Sequence, residues 1–266
     1  MGMKNGVPSF RTGEAYDIPQ KKKHLHMKKT ITLLICITLT SCGSVYYVPN
    51  TQNVPVIREK GQTNLSFDLN VSESTDGIEF QGAYGLTDKI ALQFNADWVK
   101  GSASNRNATG SGNIIEFGPG YYKNLSKHFL FETYGLLGFG SCRNEESYYD
   151  SQKNKIIHRE IKANLSRIGV QPSISYARKY FIASLSGRFS NLKYSSISGN
   201  YYAVDNLKAN NSFWLIEPAL TLQSGFENVK LFLQFQGSKN MTDSQFDQDV
   251  SLVSLGLKVN INPKKK

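Results

Sequence analysis

Few side chains in this sequence are placed to catalyse a reaction. His158, Asp247 and Asp249 fall in long polar stretches, where a histidine beside a carboxylate could activate water. The stretch 152–160, however, contains no aspartate two residues from His158 with which that ring would pair. The glycine-rich runs 118–120 and 138–140 lie in strand-like segments and open no helix, so they cannot cradle a phosphate. We expect solvated loop residues here and predict that the protein is not an enzyme.

The cysteines indicate a different kind of chemistry. No two of the three have the spacing of zinc ligands, and neither a metal site nor a cofactor is predicted. Cys142 stands alone, and Cys36 lies in the uncharged run 30–39, which follows a pair of lysines. A basic start, a short apolar run and small residues before a break form a secretory signal peptide. Cys42 stands directly at the end of this signal.

The residues at this break carry a resemblance. Leu39-Thr40-Ser41-Cys42 resembles the bacterial lipoprotein box, which has an aliphatic residue three positions before the cysteine and a small residue directly before it. The resemblance implies cleavage between Ser41 and Cys42, a diacylglycerol on the Cys42 thiol and an acyl chain such as palmitate on the new amino terminus. Several chains are needed because a single one anchors a protein only marginally. Surface-exported lipoproteins of this kind tend to carry acidic residues just after the cysteine, and residues 43–45 carry none. The anchor is therefore expected on the periplasmic side.

The signal divides the chain into predicted regions. We expect residues 1–26 to be an upstream extension that is absent from the mature protein, with Met27 as a possible true start. The signal peptide occupies 27–41, and 42–61 form the lipidated amino terminus and a polar linker that two prolines keep extended. The predicted barrel covers 62–262, and a basic tail of 263–266 follows.

Charge and hydropathy exclude several classes of protein. The chain has 266 residues, a net charge of +10, 39% hydrophobic residues and a mean hydropathy of -0.37. Its one apolar run is shorter than the ~20 residues of a membrane-spanning helix, which excludes a helical bundle in a membrane. Much of the positive charge lies in residues 1–42 and in the three terminal lysines. Basic residues with interleaved aromatics do not cluster elsewhere, so no nucleic-acid partner is predicted.

Beyond the linker, apolar and polar residues alternate. A two-residue period places apolar side chains on one face of a strand and polar side chains on the other. Each such segment is close to the ~9–11 residues that a tilted strand needs to cross a membrane. The pattern predicts an all-β, antiparallel, up-and-down transmembrane β-barrel of about ten strands, with about eight to twelve possible. The predicted strands are 62–71, 77–85, 89–99, 113–123, 128–140, 163–177, 180–192, 212–223, 228–237 and 250–261.

The connections between these strands alternate in length. Short turns lie near residues 86–88, 124–127, 178–179 and 225–228, whereas most of the other connections are long and polar: 100–112, 143–162, 191–211 and 237–249, with a shorter one at 72–76. Outer-membrane barrels have short periplasmic turns and longer extracellular loops. An even number of strands then predicts that both chain ends, Cys42 included, lie on the short-turn rim. Pro119, Pro172 and Pro218 recur within predicted strands and favour bulges or bends near that rim.

Short motifs add a second resemblance. Tyr46-Tyr47-Val48-Pro49-Asn50, Asn53-Val54-Pro55 and the hairpin Ala83-Tyr84-Gly85-Leu86-Thr87-Asp88-Lys89 follow the lipoprotein box. Together they resemble Bacteroidota-type lipid-anchored outer-membrane β-barrel proteins of unassigned function, within the broader porin-like barrel families. The resemblance implies a fold and a location and brings no catalytic residues.

The polar face of the strands would line the lumen. The candidate lumen-facing charges are Asp68, Glu79, Asp97, Glu116, Glu132, Arg167, Arg188, Glu217, Lys230 and Lys258. Because barrels of about eight to ten strands are largely filled by side chains, we favour a salt-bridged plug over an open channel. The predicted function is a structural or binding module in the outer membrane, with outer-membrane lipid and an unknown protein or solute at its external loops as partners. A narrow channel for small polar solutes is the alternative, and a periplasmic lipid-anchored barrel that binds an apolar ligand is a further one.

Overall fold

The computed structural model describes residues 46–103, 107–152, 154–200, 203–242 and 247–263. It contains eleven strands and, in these residues, one helix. In the parts of the chain that are described, no helix is both long and apolar enough to cross a membrane. The elements are β1 (Thr63–Ser72), β2 (Asp76–Gly85), β3 (Ile90–Ala103), β4 (Ala108–Asn124), β5 (Phe129–Asp150), β6 (Lys155–Ala177), β7 (Phe181–Gly199), α1 (Ala203–Ala209), β8 (Ser212–Gly225), β9 (Val229–Gly237), β10 (Lys239–Asn240) and β11 (Ser251–Ile261).

The ten long strands close into a barrel. Each strand from β1 to β8 pairs antiparallel with the next, β9 pairs with β11, and β11 pairs with β1. The two-residue β10 adds a short extension beside β8. Closure satisfies the backbone groups that an open sheet leaves unpaired at its edges. The predicted antiparallel barrel of about ten strands is confirmed.

Alternation along each strand separates the two faces of the barrel. On β1, Phe67 and Leu69 are 50% and 55% exposed, whereas Asp68 and Asn70 between them are 0% and 1% exposed. The same order recurs on β11, where Leu255 faces outward and Ser254 inward. The barrel is thus apolar outside and polar inside, the reverse of the usual arrangement in water.

Several strands extend well beyond the predicted ends. The ladder between β5 and β6 continues to the pair Asp150 and Lys155, so most of the predicted loop 143–162 is paired strand. The predicted loop 100–112 is also mostly strand, and the region 191–211 contains the end of β7 and α1. The alternation fades in these stretches because both faces meet polar surroundings, while backbone pairing needs no such pattern. We call this end of the barrel the long-hairpin rim and the other end the short-turn rim.

Pro119 and Pro172 interrupt pairing locally without shifting the register, whereas Pro218 remains paired with Gly187. Between β4 and β5, residues 118 and 119 have no partner, yet Phe117 and Gly120 remain in the same register. The same holds between β6 and β7 around Pro172. A proline lacks the amide hydrogen that a ladder requires, so pairing is lost locally. The expected bulge is therefore wrong at these sites, and the register shift that the structure does contain lies between Lys162 and Asn164.

The segment before β1 is not an external linker. Residues 47–57 run through the lumen, and all of them except Val48 are buried. Tyr46 and Tyr47 pair with the connection before β11, at the long-hairpin rim. Arg58 contacts the β4–β5 turn at the short-turn rim. The described chain therefore begins at the long-hairpin rim and not at the short-turn rim, because it traverses the lumen before it enters β1; Cys42 lies outside the described residues.

Candidate functional site

The candidate site is the lumen together with residues 47–57, which we call the luminal segment. The segment has the sequence Tyr-Val-Pro-Asn-Thr-Gln-Asn-Val-Pro-Val-Ile and carries no charge. Pro49 and Pro55 fix their own backbone angles and disfavour helix at the residues before them. An extended segment exposes its amide and carbonyl groups, which must find partners inside the barrel.

We call the half of the lumen nearer the long-hairpin rim the upper half and the other the lower half. In the upper half, barrel side chains bind the main chain of this segment. Arg188 donates to the carbonyl oxygen of Asn50 at 2.9 Å. The amide of Thr51 donates to Glu79 at 2.8 Å, and Gln81 donates to the carbonyl of Thr51 at 3.0 Å. These side chains therefore do for the segment what a neighbouring strand does in a sheet.

Gln234 on β9 likewise makes the bonds that a neighbouring strand would make. Its Oε1 accepts from the amide of Gln52 at 2.7 Å, and its Nε2 donates to the carbonyl of Gln52 at 2.9 Å. An amide side chain has both a donor and an acceptor, so it can satisfy both main-chain groups of one residue. The side chain of Gln52 in turn donates to the carbonyl of Glu217 at 2.6 Å.

Three further main-chain carbonyls are bound in the lower half of the lumen. Gln171 donates to Asn53 O, Lys258 to Val54 O and Asn64 to Pro55 O, at distances of 2.7, 2.7 and 2.6 Å respectively. Two of these donors come from the neighbouring strands β1 and β11, and the third comes from β6 on the opposite side of the barrel. The segment is therefore held from two opposite sides.

Glu132 on β5 binds a strained turn in the segment. Its two carboxylate oxygens accept from the amides of Val56 at 3.1 Å and Ile57 at 3.0 Å. Val56 has a φ of 63°, which is unfavourable for a β-branched residue. Such strain costs about 1–3 kcal/mol and persists only where surrounding contacts impose it. The paired amide–carboxylate bonds supply that constraint.

A buried ion network lies nearer the long-hairpin rim. Arg167 donates to Glu116 at 2.8 Å, and Arg188 donates to Glu217 at 2.5 Å. The Tyr47 hydroxyl accepts from Arg167 at 2.5 Å and donates to Glu217 at 2.7 Å, which links the two pairs. Buried charges are tolerated only when they are paired and hydrogen-bonded. The luminal segment thus completes the network through an aromatic hydroxyl.

A row of three carboxylates crosses β1, β2 and β3. Asp68 stands opposite Glu79, and Glu79 stands opposite Asp97. Like charges directly opposite one another destabilise a sheet. Thr51 donates to Asp68 at 2.8 Å, Asn50 donates to Glu79 at 3.1 Å, and Asn70 donates to Asp97 at 2.9 Å. Two of the three carboxylates therefore rely on donors from the luminal segment.

The structure places all ten sequence-derived charges on the inner face and buries each of them. Asp68, Glu79 and Asp97 form the row, Glu116, Arg167, Arg188 and Glu217 form the network, and Glu132 and Lys258 bind the lower segment. Lys230 lies apart, because its ammonium donates to the carbonyls of Lys179 at 2.8 Å and Phe226 at 2.6 Å at the short-turn rim.

Sequence reasoning missed the residues that these charges hold. The run Asn50-Thr51-Gln52-Asn53 has no periodicity and no charge, so it resembles a linker. Its amides and hydroxyl nevertheless supply the donors described above. One signal was present: four hydrogen-bonding side chains follow one another between two prolines. Flexible spacers are instead rich in glycine and serine.

The residues considered for catalysis do not converge. His158 lies beside Ser147 on the exposed β5–β6 hairpin, with 2.8 Å between Nδ1 and Oγ. Asp249 instead accepts from Ser72 and Ser74 at the β1–β2 connection. Among the described residues, no group of three His, Cys, Asp or Glu side chains could hold a metal ion. Ser41 and Cys42 lie outside the described residues, as does the rest of the predicted signal.

Comparisons with known proteins give structural neighbours only. No family model matches the chain, and no curated protein matches it. The translocator domain of the autotransporter NalP from Neisseria meningitidis is similar over 91% of this chain and 97% of that one, with 11% identity and a TM-score of 0.46. The outer membrane protease OmpT from Escherichia coli is similar over 76% and 94%, with 9% identity and a TM-score of 0.42. The attachment invasion locus protein Ail of Yersinia pestis is similar over 76% and 99%, with 12% identity and a TM-score of 0.35.

The position of the luminal segment predicts a cross-link. The hydroxyls of Thr51 and Ser254 lie 2.6 Å apart, so cysteines at both positions are close enough for a disulfide. We expect Thr51→Cys with Ser254→Cys, in a Cys142→Ala background, to form one on oxidation and to change mobility on a non-reducing gel. Thr51→Cys with Ser184→Cys is the control and should not link. The Ser184 hydroxyl is also buried, but its partner is the Ser175 hydroxyl on β6 and not the luminal segment. Failure of the first pair to link in folded protein would contradict the luminal position.

The ion network predicts a large loss of stability for one substitution. Arg188→Met removes the donors to Glu217 and to Asn50 and leaves a buried carboxylate without its cation. We expect the free energy of unfolding to fall by about 3–5 kcal/mol, measured by urea titration in lipid vesicles. Lys230→Met is the matched control, with an expected loss of about 1–2 kcal/mol, since it binds only turn carbonyls at the rim. Equal losses for the two variants would show that the network is not a main source of stability.

Proposed function

We propose that this protein is an outer-membrane β-barrel that acts as a structural or binding module, with its lumen closed by its own luminal segment. The observation that carries the proposal is the outward face of the strands. Leu65, Phe67, Leu69 and Val71 on β1 are all exposed, and so are Val253, Leu255, Leu257 and Val259 on the neighbouring β11. Soluble monomers rarely expose continuous apolar surfaces of this kind, whereas a lipid bilayer covers them.

Aromatic residues at both ends of the apolar surface support a membrane location. Trp98 and Trp214 are exposed towards the long-hairpin rim, and Phe189 stacks on Trp214 with ring centroids 5.0 Å apart. Tyr84 and Tyr180 are exposed towards the short-turn rim. Aromatic girdles of this kind mark the two interfaces of a transmembrane barrel with its bilayer.

The filled lumen argues against the alternatives. A channel for polar solutes needs an open path, but residues 47–57 occupy the lumen and are bonded to the strands around them. A barrel for an apolar ligand needs an apolar interior, whereas the interior here holds buried charges and amides. Both observations favour a closed scaffold, so binding falls to the exterior of the protein.

The long-hairpin rim is the surface that we propose for an unknown protein or solute. An open polar cavity of about 720 Å³ lies there, lined by residues of the β1–β2 connection and of β3, β4 and β5. Arg143 and Lys162 pair with Glu160 at 2.6 and 2.7 Å on the neighbouring hairpin. The hydrogen bond from Lys162 holds the pKa of Glu160 below its ordinary value.

Lipidation of Cys42 is part of the same proposal. It rests on the resemblance of residues 39–42 to the lipoprotein box. Cys42→Ala should abolish labelling of the protein by a radiolabelled fatty acid, whereas Cys142→Ala should leave it unchanged, because Cys142 lies on β5 of the barrel. Labelling that persists in Cys42→Ala would show that the lipid is attached elsewhere, and a wild-type protein that takes up no label would show that it carries none.

Two measurements test the closed membrane barrel. A folded transmembrane barrel in detergent should migrate differently on a gel before and after boiling, and loss of this heat shift would contradict the membrane fold. In planar bilayers the wild-type protein should give no discrete conductance steps, because the luminal segment closes the pore. Regular steps from the wild-type protein would favour the narrow channel instead.

The apolar surface predicts a stability difference that depends on the bilayer. Leu255 lies midway along β11 and is 58% exposed. Leu255→Arg should lower the free energy of unfolding in lipid vesicles by about 2–4 kcal/mol, because a charge then faces the hydrocarbon core. Ile156→Arg, which alters an equally exposed residue of the β5–β6 hairpin, should change it by about 0.5 kcal/mol or less. A neutral effect of both substitutions would indicate a barrel that is not embedded.

A further inference from the structure

The described chain begins at the long-hairpin rim. The amide of Tyr46 donates to Asp247 O at 2.9 Å, and the amide of Asp249 donates to Tyr47 O at 3.0 Å. Tyr47 also forms a parallel bridge with Gln248, in the connection between β10 and β11. The hydroxyl of Tyr194 on β7 donates to Tyr46 O at 2.8 Å. Several independent bonds therefore fix this end of the segment.

The other end of the segment is fixed at the short-turn rim. Arg58 donates to the carbonyls of Lys127 and His128, both at 3.2 Å, and Asn124 donates to the carbonyl of Arg58 at 3.0 Å. The amide of Gly61 donates to Gly85 O at 2.7 Å, at the end of β2. The segment therefore crosses the barrel from one rim to the other, in a single direction.

We propose that the mature amino terminus, with the lipid on Cys42, is displayed on the long-hairpin side of the membrane, which is the outer surface of the cell. The inference rests on the proposed function in two respects, the lipidation of Cys42 and the outward orientation of the long hairpins. What the inference adds is the side of the membrane on which the lipid lies. It replaces the periplasmic anchor that residues 43–45 led us to expect.

The short length of chain between Cys42 and Tyr46 supports this proposal. Cys42 is four residues before Tyr46, a distance of at most about 14 Å even if fully extended. The luminal segment spans ten residue steps between Tyr47 and Ile57, which at about 3.1–3.3 Å per residue is about 30 Å. The four residues that lead from Tyr46 back to Cys42 are therefore too short to reach the short-turn rim. The acyl chains must therefore insert beside the long-hairpin rim.

The return path is closed for physical reasons as well. Inside the barrel, the space is taken by the luminal segment itself. Outside, a strand-less chain along the apolar surface would leave backbone amides and carbonyls unsatisfied in hydrocarbon, at several kcal/mol for each group. Neither route leads back to the short-turn rim.

The arrangement of contacts also implies an order of assembly. Donors and acceptors for the main chain of the segment come from β1, β2, β5, β6, β7, β9 and β11. A lipidated end cannot pass through a closed lumen whose side chains already contact one another. The strands must therefore close around the segment.

Epitope tags in the full-length protein test the side of the membrane. One tag follows Ser44, a second stands at Gln152 in the tip of the β5–β6 hairpin, and a third stands at Ser126 in the short β4–β5 turn. Antibody is applied to intact and to permeabilised cells. We expect the tags at Ser44 and Gln152 to be labelled on intact cells, and the tag at Ser126 only after permeabilisation.

The outcomes separate the inference from the function beneath it. If the Gln152 tag is labelled on intact cells and the Ser44 tag is not, the surface anchor is wrong while the outward hairpins stand. If both tags are hidden on intact cells, the outward orientation fails and the inference falls with it. A tag at Ser126 that is labelled on intact cells would likewise overturn the orientation.

A second measurement excludes labelling of a released segment. The Ser44 tag is combined with Thr51→Cys and Ser254→Cys in the Cys142→Ala background, so that oxidation locks the segment inside the barrel. Labelling of intact cells should be the same before and after oxidation. Loss of labelling in the locked protein would overturn the inference, because the tag would then reach the surface only when the segment leaves the lumen.

Discussion

The need to satisfy polar groups inside a closed, narrow space governs this structure. Once the outward residues of ten strands are apolar, alternation forces the inward residues to be polar, and closure of the barrel removes them from bulk water. An unsatisfied buried donor or acceptor costs about 1–3 kcal/mol, and a buried charge costs more. The luminal segment meets this requirement because an extended chain offers an amide or a carbonyl at nearly every step.

The lumen and its segment complement one another in charge as well as in geometry. The acids and the two arginines of the upper network are bonded to each other, so the segment needs no charge of its own. It contributes neutral donors where carboxylates lack cations, as Thr51 and Asn50 do for Asp68 and Glu79. A charged residue in the segment would disturb a network that is already paired. The uncharged sequence of residues 47–57 follows from this.

The sequence predicted the barrel well because one physical rule produces it. Alternation along β1 or β11 gives both the strand and the face of each residue, so charges such as Glu116 and Arg167 could be assigned to the lumen from spacing alone. The hairpin of β5 and β6 was harder, since its pairing extends to Asp150 beyond the apolar surface that creates the pattern. The luminal segment was not predicted, because the partners of its main chain are side chains on seven different strands and its own sequence has no period.

The register of the segment is set at its two ends. At the upper end, Tyr47 must reach both Arg167 and Glu217, and at the lower end Glu132 binds two successive amides across the strained Val56. Between them, Gln234 and Gln81 bind main-chain groups that every residue except proline possesses, so they do little to choose the register of the segment. A slip of one residue would turn Tyr47 away from the ion network and place the left-handed backbone angle on Pro55 or Ile57. Proline cannot adopt that angle, and a β-branched isoleucine adopts it only with strain. The two ends therefore fix one alignment, and with it the rim at which Tyr46 emerges.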